Sequence, residues 1–166
     1  ALCILSAINI GKIRDVSDLK SLCDLSVRSL DELIDFQGYP VEAAEIATKA
    51  RRSLGIGYIG LAHYLAKQGV KYGDPKAWEL VHDLTEAFQY HLIESTVNLA
   101  KEKGACEYSD RTKYAQGILP IDTYKKDVDE LVPNNLKYDW ETLRALVKEH
   151  GVRNSTLSAQ MPSESS

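Results

Sequence analysis

The stretch that most constrains the fold is the last one, Arg153-Asn154-Ser155-Thr156-Leu157-Ser158-Ala159-Gln160-Met161-Pro162-Ser163-Glu164-Ser165-Ser166. Its apolar-leaning run, Leu157 to Met161, meets Pro162. Proline removes a backbone donor and fixes φ, so it ends a strand or opens a turn. Ser163, Glu164, Ser165 and Ser166 then supply the hydroxyls and free N–H groups of an exposed helix start, which favours an anion. Strand, tight turn and helix start in that order point to a ligand that carries phosphate.

A second strand candidate lies at the other end. Leu2 to Ile10 is short, apolar and closed by Gly11, with Cys3 near its start. Between the two, the spacing predicts helices. Cap candidates at Asp15–Asp18 precede Leu19, Leu22, Cys23, Ser26, Leu30, Leu33 and Ile34, which recur at helical spacing up to Gly38. Cys23 falls on that apolar face and reads as a small core residue. Pro40 opens a helix over Val41 to Arg52. The longest pattern, Lys76 to Lys103, carries Leu80, Leu84, Phe88, Leu92 and Leu99 as its stripe and stops at Gly104. Asp122 and Thr123 offer caps for a short helix through Leu131, and Asp139 caps Trp140 to His150, with Trp140, Leu143, Leu146 and Val147 inward. The expected fold is α/β and helix-rich, with two short strands near the chain ends around a helical middle. It is one unit without an internal boundary, and if both strands belong to one sheet or barrel, most of that sheet is missing.

Gly55, Gly57 and Gly60 match G-x-G-x-x-G. A dinucleotide site needs a buried strand immediately before the first glycine, and Thr48 to Ser53 is too charged to be one. Close packing is the expected role of these glycines.

The 166 residues, 44% hydrophobic and 27% charged, are enough for one domain with a core. A net charge of −4 gives no broad attraction to nucleic acid or to an anionic membrane. No apolar run approaches the ~20 residues that a membrane span needs. Three cysteines, Cys3, Cys23 and Cys106, are unlike a secreted disulfide framework, so a cytoplasmic protein is expected. The four histidines show no pairing on one helical turn, and no metal site is expected. The chain starts on Ala at an apolar run and stops within a capping segment, so an internal piece of a longer protein is expected.

Three segments also carry a resemblance. Asn-Ser-Thr-Leu-Ser-Ala-x-Met-Pro-Ser-Glu-x-Ser, from Asn154 to Ser166, resembles the substrate-phosphate loop of the large subunit of class I ribonucleotide reductase. Ala1-Leu2-Cys3-x-Leu5-Ser6-Ala7-x-Asn9 and Gly117-Ile118-Leu119-Pro120-Ile121-Asp122-Thr123-Tyr124-Lys125-Lys126-Asp127 are similar to the same family in the same order, and Arg51 to Gly57 fits as well. The resemblance therefore covers essentially the whole chain. It implies a ten-stranded α/β barrel, with this piece supplying part of its second half.

The resemblance also implies roles. By itself Cys3 reads as a small residue filling a strand; in the family, the cysteine of this motif is one of a pair that closes to a disulfide as the ribose is reduced. Pro162, Ser163, Glu164, Ser165 and Ser166 would hold the diphosphate of a ribonucleoside diphosphate, with the Glu164 carboxylate turned away. Ser165 stands where relatives often carry Thr, which keeps the hydroxyl. The Asn-x-Cys-x-Glu loop that carries the radical cysteine is not in the sequence. No cofactor is expected on this segment. The intact enzyme is implied to need a small subunit with a metal and tyrosyl radical, ATP or dNTP effectors, and thioredoxin or glutaredoxin, and to act as a homodimer. The alternative is a non-catalytic helical interaction module that keeps the fold without activity.

Overall fold

In the computed structural model, residue 2 and residues 4–161 are described. The first strand, β1, runs Ile4–Asn9. Its pleat separates two faces: Ile8 is buried and Ile4 packs against the core, whereas Leu5, Ala7 and Asn9 are exposed. A short 3-10 turn, Ile10–Lys12, leads to helix α1, Asp18–Phe36. The turn before α1 is tied by the Asp15 carboxylate, which accepts the Ser17 N–H at 2.8 Å. The buried face of α1 is Leu19, Cys23, Val27, Leu30 and Ile34. Val27 therefore takes the inward place expected of Ser26, and Leu33 is exposed, because steps of four, four, three and four residues turn the stripe away from both.

Helix α2, Glu42–Arg51, ends where Arg52 adopts a left-handed conformation with φ of 48°. Glycine is the usual residue there, and a long side chain accepts such strain only when its surroundings fix it. The chain turns at Arg52 into β2, Leu54–Ile59, which pairs in parallel with β1 from Ile4↔Leu54 to Asn9↔Ile59. Helix α3, Leu61–Lys67, follows directly, with Gly60 at φ of 79° at its start.

The second strand is therefore not the one expected at the chain end. Its sequence, Leu-Gly-Ile-Gly-Tyr-Ile, has the period of a strand but too much glycine for local β propensity. The expected strand from Ser155 to Met161 does lie alongside β2, but as an extended segment with one isolated parallel bridge, Ile56 to Ser158. Leu54 N–H donates to Thr156 O at 2.9 Å, Ile56 N–H to Leu157 O at 2.8 Å, and Ala159 N–H to Ile56 O at 3.1 Å. The described sheet is a two-stranded parallel ribbon and not a closed barrel.

Helix α4, Pro75–Lys103, is 29 residues long and stops at Gly104. At ~1.5 Å per residue it is about 43 Å in length. It packs along α1, with Leu84, Phe88, Leu92, Ile93, Val97 and Leu99 in the core; burying a side chain of this size contributes about 1.5–3 kcal/mol. Leu80 is only partly buried. After α4 the chain makes 3-10 turns at Ser109–Arg111 and Tyr114–Gln116 before α5, Pro120–Thr123. Asp122 and Thr123 do not start this helix. Pro120 opens it, and Asp122 reaches back to accept the Leu119 N–H at 2.7 Å, which moves the expected boundary upstream; a 3-10 turn at Lys126–Glu130 follows. Helix α6, Trp140–His150, forms as its sequence implies: the Asp139 carboxylate accepts the Thr142 N–H at 3.0 Å, and Gly151 ends it. Trp140, Leu143 and Val147 are buried, and Leu146 is partly buried. The buried carboxylate of Glu86 on α4 secures the approach to α6, accepting from Lys137 N–H at 2.8 Å and from the Trp140 indole N–H at 3.0 Å.

Candidate functional site

The parallel strands carry their helices on one face. Leu54 and Ile56 of β2 are buried there with Ile8, beneath α1. The opposite face bears Leu5, Ala7 and Asn9 from β1, Gly55 and Gly57 from β2, and Ala159 and Met161 from the final segment. Gly57 is a steric necessity because it meets backbone, whereas Gly55 meets the movable end of a side chain. A Cβ on Gly55 would lie 2.5 Å from the Leu5 Cδ2, and one on Gly57 would lie 2.5 Å from the Ala159 carbonyl oxygen and 2.8 Å from the Met161 sulfur. Gly55 and Gly57 thus sit within a strand, where neighbouring backbone and side chains press on them, and not in a strand-to-helix turn. The expected packing role holds, and the dinucleotide motif lacks its geometry.

A buried polar hub anchors the N-terminal ends of β2 and the final segment. Arg52, held in its left-handed conformation, donates Nε to Asp31 Oδ1 at 2.7 Å and Nη2 to the Asp31 carbonyl at 2.7 Å and Asp35 Oδ2 at 2.8 Å. Arg153 donates Nε to Asp31 Oδ2 at 3.2 Å. Asn154 donates Nδ2 to Asp31 Oδ1 at 2.9 Å and to the Arg52 carbonyl at 3.1 Å, while its Oδ1 accepts from the Thr96 hydroxyl at 2.9 Å. Asp31 and Asn154 are fully buried. Hydrogen bonds from the Arg52 guanidinium hold the Asp35 carboxyl below its usual range. Among the described residues, no buried side-chain nitrogen or oxygen lacks a partner. Asp31 and Thr96 belong to no motif; Asn154 opens the motif that runs to Ser166 and Arg52 lies in the Arg51–Gly57 run, but neither pattern signals that the two meet at Asp31.

The residues on which the chemistry was expected, Cys3 and Pro162, Ser163, Glu164, Ser165 and Ser166, lie outside the described residues. Each adjoins the described strands in sequence: Cys3 precedes β1 directly, and Pro162 follows Met161. The two described cysteines are structural. Cys23 is fully buried against the Phe88 carbonyl, and burial pushes its thiol up to about 12. Cys106 is also buried, which raises its thiol and removes the accessibility that reactivity requires. Apolar residues including Leu65, Trp78, Val81 and Ile121 line a cavity of about 640 Å³ between α3, α4 and α5. Two polar groups at its wall have partners, Glu86 in Lys137 and Trp140, and the Tyr124 hydroxyl in Asp129 and Asn134.

Parallel strands joined by a long helical crossover, with helices on one face and a glycine-lined face on the other, make this a section of an α/β fold. The chain belongs to the ribonucleotide reductase barrel-domain family, whose model, described as "Ribonucleotide reductase, barrel domain", matches residues 1–166. It is 60% identical over its full length to the ribonucleoside-diphosphate reductase subunit alpha of Haemophilus influenzae, covering 22% of that protein. It is 55% identical over 133 residues, 80% of the chain, to the ribonucleoside-diphosphate reductase 1 subunit alpha of Escherichia coli, covering 18% of it. The subunit alpha of Helicobacter pylori is 34% identical over 99% of the chain. The chain thus spans about a fifth of the length of these relatives.

Proposed function

We propose that this segment forms part of the catalytic barrel of a ribonucleotide reductase large subunit that reduces ribonucleoside diphosphates to 2′-deoxyribonucleoside diphosphates in the cytoplasm. The observation that carries the reading is the family match over the whole chain. In the overall reaction the C2′–O bond breaks, the oxygen leaves as water and a hydrogen takes its place. Two thiols lose two electrons and two protons in closing to a disulfide. Cys3 supplies one of these thiols; its partner and the cysteine that forms the thiyl radical come from elsewhere in the subunit. The burial of Cys23 and Cys106 supports this assignment, since a thiol that exchanges with a reductant must be reachable.

Pro162 to Ser166 would hold the substrate diphosphate by backbone N–H groups and hydroxyls, the arrangement suited to an anion without a basic side chain. A radical-generating small subunit with a metal and tyrosyl radical, a thioredoxin or glutaredoxin, and ATP or dNTP effectors complete the system, and the large subunit acts as a homodimer.

The test is steady-state reduction of CDP by the full-length subunit with its small subunit and thioredoxin. Cys3→Ser abolishes multiple turnover while nucleotide binding persists; undiminished turnover removes Cys3 from the mechanism. Replacing Ser165 and Ser166 together by Ala raises KM for the diphosphate, and an unchanged KM returns that loop to the role of a polar turn.

A further inference from the structure

A separate cavity lies at the opposite end of the strands. A cavity of about 410 Å³ opens where α2 hands over to β2 and where the final segment begins, and Arg51, Arg111, Lys113, Thr123, Ser155 and Thr156 line it. It sits among fixed backbone: Ser155 N–H bonds the Arg51 carbonyl at 3.0 Å, and Tyr108 N–H bonds that of Ala50 at 3.1 Å. The final segment runs away from it to Met161, whose sulfur lies beside Gly57. At ~3.3 Å per residue, the five steps from Thr156 to Met161 span about 16 Å. The cavity is therefore separate from the chain end that leads into Pro162.

Its charge is one-sided. None of Arg51, Arg111 or Lys113 makes an ion pair with a described residue, although each of the other arginines, Arg14, Arg28, Arg52, Arg144 and Arg153, does. No carboxylate is among the described residues that line the cavity. The two guanidiniums are held in place by one ring: Arg51 lies 5.1 Å and Arg111 4.0 Å from the centroid of Tyr108. Stacking of this kind orients a guanidinium while leaving its N–H donors free, so less freedom is lost when an oxyanion arrives. The floor is apolar, formed by Tyr114, Ile118, Leu119 and Pro120. Burial pushes the Tyr114 hydroxyl up to about 12, so it adds no negative charge at neutral pH.

We propose that this cavity binds a small phosphate ester of about mononucleotide size, its phosphate between Arg51, Arg111 and Lys113 and its body on the Tyr114–Pro120 floor. The volume falls within the range of ligand pockets, about 300–1,000 Å³, and cations beside hydroxyls and an apolar wall match a phosphate attached to a planar group. A carboxylate from the rest of the same subunit offers related oxyanion chemistry, and the experiment separates the two.

The measurement is equilibrium dialysis of the full-length subunit against radiolabelled AMP, with CDP in excess. One saturable equivalent of AMP is expected, and binding weakens about tenfold or more in Arg111→Ala and in Lys113→Ala, in keeping with the loss of a charge-assisted contact. Arg14→Ala, an exposed arginine on another face, leaves it unchanged. In parallel, phenylglyoxal modifies Arg51 and Arg111 in the ligand-free subunit, and AMP protects both. Absence of saturable binding, or equal binding in the variants, overturns the proposal. Arginines already shielded from phenylglyoxal before AMP is added also overturn it, because the subunit's own carboxylates then fill the site.

Discussion

Asn154 donates its side-chain amide to the carboxylate of Asp31 at 2.9 Å, across 123 residues of sequence. This contact joins the fourth turn of α1 to the residue that launches the final extended segment. Arg52 and Arg153 share the same carboxylate, so one buried aspartate aligns two cations, and Asp35 supplies Arg52 with a second negative charge.

Asp31→Ala removes that shared partner and leaves Arg52, with a side chain 6% exposed, without its inner counter-ion. Breaking a buried pair from one side costs about 3–5 kcal/mol. Thermal and urea unfolding of the full-length subunit are expected to show a loss of that order; a change below about 1 kcal/mol, the median for surface pairs, would mean that the hub behaves as one.

The Asp35 carboxyl titrates lower in the folded chain than when unfolded, because Arg52 donates hydrogen bonds to its charged form. Its contribution to stability is therefore complete above the unfolded value of about 3.9 and is lost as the pH falls through the lower folded value. The gap in urea midpoint between wild type and Asp35→Asn should be constant from pH 7 to about 5 and then narrow in more acid solution. A gap that widens below pH 4 contradicts this sign.

Gly57→Ala drives a methyl group into the Ala159 carbonyl, a backbone atom that moves only if the segment leading to Pro162 moves with it. A cost of about 1–3 kcal/mol is expected. Gly38→Ala is the control: nothing lies within 4 Å of its added Cβ, so the substitution is neutral or stabilises by about 0.4–1 kcal/mol through the unfolded chain. Calorimetry on the two variants checks the contrast, and equal melting temperatures would refute it.

Thiol labelling separates the three cysteines. With its thiol pushed up to about 12, Cys23 holds about one part in 10⁴ of thiolate at pH 8, and burial shields it as well. Iodoacetamide should leave Cys23 and Cys106 unmodified in the native full-length subunit while it alkylates Cys3, as peptide mass mapping would show. Rapid loss of free Cys23 under native conditions would mean that α1 separates from α4.

Much of the helical framework was legible because its signals are local. Asp139 three residues before Thr142, Gly104 after Lys103, and the leucine spacing of α4 each act within one or two turns of chain. The strand at Leu54–Ile59 was not legible, because its glycines are poor strand formers by themselves and Gly57 is required only by the Ala159 carbonyl pressing against it. Asp31 carries no local signal, and nothing near it in sequence announces Arg52, Arg153 or Asn154.

The sequence by itself determined most of the helices, the Asp139 cap of α6 and the family. These depend on backbone hydrogen bonds closed within a few residues and on side-chain patterns read in order. The tertiary structure alone decided which stretch became the second strand, where the buried charges meet, and that Arg51, Arg111 and Lys113 face one cavity. Each of those depends on contacts between residues tens of positions apart, whose energies arise only once the chain has folded and water has been excluded from between them.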